Sequence, residues 1–184
     1  MNCWKSVNTL KDFDSSRLML ISLGITLCIF IISYLIFSLY YGDISSQGIG
    51  FTLTVAAIVT LYPVHTMLHY VPLWFAGIKT DVRLYKVKKK GKQKVTMKVQ
   101  FNKPVAKNLY ITALLFPSFL ITIGALLGAL TWPEYMHYFL LITSINAGLS
   151  VYDWVYVKQL IKAPKYSVVE RNKNGVDILV KQPS

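Results

Sequence analysis

The chain has 184 residues, of which 54% are hydrophobic and 15% charged, a balance too apolar for a soluble domain of this size. Its net charge of +12 does not point to nucleic acid, because all 20 Lys and Arg fall in residues 1–17, 79–107 and 158–184 and no aromatic-rich recognition motif accompanies them. Two cysteines, Cys3 and Cys28, exclude a disulfide framework.

Four apolar blocks, Leu18–Gly42, Ile44–Ile78, Asn108–Pro133 and Tyr135–Tyr152, meet the ~20 residues that a helix needs to cross the hydrocarbon. The basic segments alternate with short turns carrying only Asp43 and Glu134. This is the positive-inside pattern, and it places both termini and the central basic segment in the cytoplasm of a multi-pass cell-membrane protein. The expected architecture is an all-α membrane bundle of four transmembrane helices with small cytoplasmic β-hairpins, forming one domain over 1–184. The lipid bilayer is its first partner.

Residues 1–17 read as a cytoplasmic lead, with Trp4, Val7 and Leu10 along the interface. The first span, about 18–41, ends in Tyr40 and Tyr41 at headgroup level. It is too long for a signal-peptide core and lacks a cleavage site, so it is expected to stay as an anchor. The second span, about 49–74, follows a polar turn and carries Pro63, His65, His69 and Pro72. Histidines four residues apart lie one turn apart on one helix face, the spacing that offers two nitrogens to one metal ion. Hydrogen-bonded packing is the rival role for this pair.

Residues 80–107 alternate apolar and polar side chains through Val82, Leu84, Val95, Met97, Val99 and Phe101. They predict a basic β-hairpin with its turn at Lys88–Lys92. The third span, about 108–132, contains Gly124 and Gly128 at a spacing that lets helix backbones approach. In the fourth, about 135–157, Asn146, Ser150 and Asp153 form a polar stripe. A carboxylate among apolar residues needs a cation, a proton or a metal, unless Asp153 snorkels at the rim marked by Trp154. The second and fourth spans run the same way, so His65, His69 and Asp153 can meet at similar depth. Of the supporting groups Ser150 is the nearer to Asp153, and Asn146 the farther. Asn174-Gly175 predicts a second cytoplasmic hairpin over 165–181, able to pair with the first.

The histidine pair, the basic hairpin, the Asn146-to-Asp153 stripe and the tail P-K-Y-S-V-V-E-R-N-K-N-G-V-D-I together resemble the bacterial putative zincin peptidases. That multi-span family is similar in plan to site-2-protease-like intramembrane metalloproteases. The resemblance implies H-E-x-x-H on one helix and a distant Asp as third zinc ligand. His65, His69 and Asp153 match the ligands, but Thr66 stands where the general-base Glu belongs. A hydroxyl without negative charge cannot take that role, although a metal site can survive the loss, because ligands and base are different residues. The first expectation is therefore a degenerate metallopeptidase that binds zinc, and a membrane-protein or peptide client, without efficient cutting. An active metalloprotease with an unusual base and a metal-free interaction, regulatory or immunity protein are the other two classes. On topology, reporter fusions after Lys92 and after Ser184 should both read cytoplasmic, and an outside signal from either overturns the assignment.

Overall fold

A computed structural model of the chain describes residues 2–7, 15–42, 45–78, 80–89, 92–101, 103–172 and 175–180. Its helices are α1 (Ser15–Tyr41), α2 (Phe51–Leu68), α3 (Tyr70–Phe75), α4 (Lys107–Thr131) and α5 (Met136–Ile161), with a 3-10 turn at Pro133–Tyr135. Four helical stretches are long and apolar enough to cross a membrane, because α2 and α3 act as one, Phe51–Phe75.

The interruption between α2 and α3 falls at His69. Three residues later Pro72 brings no N–H to the carbonyl of Leu68, and its ring crowds that carbonyl, so the i→i−4 ladder cannot run through. The second stretch stops at Gly77, whose φ of 71° suits glycine. There Ile78 N–H donates to Leu73 O at 3.0 Å and Gly77 N–H to Trp74 O at 2.9 Å, closing the helix end with a left-handed residue.

Helix α5 is the hub, with α4 and α1 packed along it and α2 touching both α4 and α5. None of the most apolar window of α1 is buried, against 44% of that in Pro133–Ile161, so α1 is the peripheral helix. Its contact is made by small and polar groups. Ser22 Oγ donates to Gly148 O at 2.7 Å, and a Cβ at Gly148 would run into the Thr26 hydroxyl. Of the two glycines spaced for close packing, Gly128 meets the ring of Phe139 while Gly124 faces open space. Internal packing thus uses one of them, and the tight glycine on the hub helix is Gly148.

The strands depart from the expectation of hairpins alone. β2 (Thr80–Lys89) and β3 (Lys92–Phe101) pair antiparallel from Thr80↔Phe101 to Lys89↔Lys92 as a two-stranded sheet. β5 (Ser167–Asn172) and β6 (Gly175–Val180) form the C-terminal hairpin. The turn positions Lys90, Gly91 and Asn174 lie outside the described residues. β6 also pairs with β1 (Asn2–Val7), and β5 with β4 (Val105–Ala106), giving a four-stranded sheet in the order β1-β6-β5-β4. The expected lead at residues 1–17 is therefore corrected over Asn2–Val7, which is an edge strand. Six residues carry too little pattern to reveal a partner some 170 positions away, and backbone pairing supplies what side-chain periodicity does not. Val105–Ala106 likewise leaves the first hairpin's segment for the second.

The buried core sits where helices meet this sheet. Leu73, Val105, Tyr110, Leu114, Val157, Leu160, Val169 and Ile178 cluster there. At the opposite end Gln47 N–H donates to Glu134 O at 3.0 Å and Ile49 N–H to the Tyr138 hydroxyl at 3.1 Å, tying the entry of α2 to the turn before α5.

The two glycines make a contrast that packing decides. Gly148→Leu should lower unfolding stability in micelles by about 1–3 kcal/mol through overpacking, and Gly124→Leu should change it by less than about 0.5 kcal/mol. Equal effects would contradict the α1–α5 contact.

Candidate metal centre

His65 is 5% exposed, at the turn of α2 that faces both α4 and α5. Its Nδ1 lies 2.8 Å from Asn146 Oδ1 and its Nε2 3.1 Å from Asp153 Oδ2. One imidazole therefore bridges two residues of α5 seven positions apart. Seven residues are nearly two turns, so Asn146 and Asp153 point within about 20° of each other around the axis, with room for a ring between them.

His69, one turn on, reaches the other carboxylate oxygen, Nε2 to Asp153 Oδ1 at 3.5 Å. Its Nδ1 is 2.9 Å from the carbonyl of Ala113. The two rings stand edge to face, 5.1 Å between centroids at 85°.

Proton accounting on these contacts fixes the Nδ1 side of each ring. The Asn146 side-chain amide donates to Ser118 O and Thr122 Oγ1, both at 3.1 Å. A carbonyl only accepts, so the NH₂ is turned to α4 and Oδ1 is turned to His65. His65 must then donate from Nδ1. His69 also faces a carbonyl, so its Nδ1 donates as well. Each ring thus turns Nε2 to Asp153, where it serves either as a protonated donor to the carboxylate or, with its lone pair free, as a ligand to a cation held between them. Metal-ligating histidines characteristically donate their other N–H to a backbone carbonyl or comparable acceptor.

Helix α4 supplies that carbonyl because of Pro117. A helical carbonyl normally accepts from the N–H four residues on, and the residue four after Ala113 is Pro117, which has none. The freed oxygen of Ala113 takes the His69 proton. Neither Ala113 nor Ser118 nor Thr122 is conspicuous in the sequence. A proline inside a span, read with its i−4 carbonyl, is the signal that could have exposed the first of them.

Counting turns back from Asp153 favours Ser150 as the nearer supporting residue, but Asn146 touches the imidazole. Ser150 Oγ donates to Asn146 O and accepts from Ser118 Oγ, both at 2.7 Å. It braces Asn146 from the far side. Thr66 is bonded along its own helix, its hydroxyl donating to Tyr62 O at 2.9 Å.

Among the described residues, His65, His69 and Asp153 are the group that could hold a metal ion, each offering one ligand atom and all within 4.8 Å of one another. A profile of the family described as putative zincin peptidase matches residues 58–168, more than half of the chain and the whole interval from His65 to Asp153. The chain belongs to this family. Neither the curated proteins nor the solved structures searched gave a match. Membership of a zincin family implies a zinc-type metal, and the donor set fits, because two imidazole nitrogens and one carboxylate oxygen suit zinc better than magnesium or calcium.

Nitrogen-15 NMR of histidine-labelled protein tests the proton accounting. Nδ1 of both His65 and His69 should carry a proton with or without added metal. An unprotonated Nδ1 in either ring would refute the assignment.

Proposed function

We propose that this zincin-family chain is a multi-pass membrane protein that holds one zinc ion on His65, His69 and Asp153 and cuts peptides poorly or not at all. The observation that carries the metal half is the convergence of two Nε2 atoms, with their Nδ1 protons spoken for by Asn146 and Ala113, on the two oxygens of one carboxylate. An Asp that offsets part of an ion's charge has a reason to sit in an apolar helix.

The other half rests on Thr66. Zinc, when bound, supplies a polarised water or carbonyl oxygen. The chain's own contribution would be to hold the ligand rings, exclude bulk water through the surrounding bundle, and accept the water's proton. For that last step no second carboxylate joins the cluster among the described residues, and the Thr66 hydroxyl is committed to Tyr62 O. A peptide or membrane-protein segment could be held at such a site without efficient turnover. The four apolar helical stretches and the basic segments at one end favour a membrane location with both termini inside, and no nucleic-acid partner is needed to account for the charge.

Metal content per chain, measured by elemental analysis after purification without a His-tag, should approach one zinc in wild type and fall in His69→Ala and Asp153→Ala. Wild type carrying no more metal than these variants, after zinc is supplied, would reduce the cluster to packing. For activity, cleavage of a membrane-inserted reporter should be weak in wild type and rise by about 10²–10⁴-fold in Thr66→Glu, the usual contribution of a general base. Robust wild-type cleavage abolished by His65→Ala would show an active protease instead.

A further inference from the structure

A groove of about 540 Å³ opens between α1, α4 and α5 on the side of the Asn146 network away from His65. Ile25 and Ile29 of α1, Phe119 of α4, and Val151 and Val155 of α5 line it. Its polar groups are Ser118, Thr122 and Ser150, and each of these hydroxyls already has a partner inside the protein. An alkyl chain lying there therefore strands no polar atom, while a polar ligand finds few bonds to make.

The two ends differ. Lys158 and Trp154 also line the groove, both exposed, and Lys158 makes no ion pair among the described residues. From Ala147 to Lys158 the helix rises about 16 Å, roughly half the ~30 Å hydrocarbon thickness. The groove is thus one leaflet deep, apolar along its length and cationic at its mouth. Charge and polarity select the occupant, because an apolar length with a lysine at its mouth complements an acyl chain that carries an anionic headgroup.

We propose that this groove is a binding site for one anionic phospholipid of the leaflet on the basic side, with an acyl chain between α1 and α4 and its phosphate at Lys158. The proposal rests on the membrane reading above and is independent of the metal. The lipid's chain would cover the hydroxyls that brace Asn146, closing the network on its lipid-facing side.

Trp154 provides the readout. In a chain carrying Trp4→Phe, Trp74→Phe and Trp132→Phe, reconstituted in vesicles, Trp154 fluorescence is titrated with chain-brominated phosphatidylglycerol or phosphatidylcholine. Phosphatidylglycerol should quench at about fivefold lower mole fraction, the preference that one cation near an anionic headgroup supplies. Lys158→Gln should abolish that preference while leaving zinc content unchanged, and Ala147→Phe, which fills the groove, should weaken quenching by both lipids. The other basic residues attract anionic lipid generally, so a preference that survives Lys158→Gln overturns the site. Equal quenching by the two lipids in the parent overturns it too, and leaves the groove to a side chain or helix of another protein. A parent protein that holds no zinc yet keeps the lipid preference would count against the metal reading alone.

Discussion

A carboxylate with two imidazole nitrogens aimed at it, enclosed by apolar helices, is the constraint on which the structure turns. Asp153 cannot lie unpaired in that setting without a large desolvation cost. The rings facing it cannot both turn away, because their other nitrogens are held at 2.8 and 2.9 Å by an amide oxygen and a backbone carbonyl. The result is a set of donors converging on one point from α2, its interruption at His69, and α5. Burial and hydrogen bonding hold it, and it makes a cation the natural complement of the arrangement.

Prolines do much of the positioning, each by withholding one N–H. Pro72 interrupts the ladder at the turn containing His69, and Pro117 leaves the Ala113 carbonyl open to receive a side-chain proton. In a membrane helix such freed carbonyls are tolerated where a neighbouring helix satisfies them, and here the satisfying group is a metal-ligand candidate. The same residues that weaken helix continuity thereby fix ring orientation. Asn146 plays the corresponding part for His65, and the Ser118 carbonyl, which can only accept, holds its amide NH₂ toward α4 beside the Thr122 hydroxyl.

The departure from a catalytic zincin that we propose is local. On the proposed reading, Thr66 in place of a general-base Glu leaves both candidate ligands, both supporting acceptors and the packing of α2 on α5 untouched. A hydroxyl on a helix can bond back to the carbonyl one turn earlier, and Thr66 does so. Ligation and proton transfer are separable functions of such a motif, and the proposed reading of this chain keeps candidate residues for the first with Thr66 at the position of the second.

Much of the architecture was legible in the residues themselves. Apolar blocks of membrane length, basic segments between alternate pairs of them, and period-two alternation are local patterns, and local patterns survive in one dimension. The spacing of His65 and His69 and the isolation of Asp153 could be read in the same way, since both are statements about one helix. What lay outside the sequence was every relation between elements. Strand β1 has no signature apart from its partner β6, and Val105–Ala106 is too short to announce its pairing with β5. The choice of Asn146 over Ser150 depends on how α2 leans across α5. The role of Ala113 depends on a missing N–H in α4 meeting a ring from α2. Hydrophobic and charge periodicity determine which segments form and which way they face, whereas hydrogen-bond partners between segments are chosen by packing in three dimensions, and only the tertiary structure decided those.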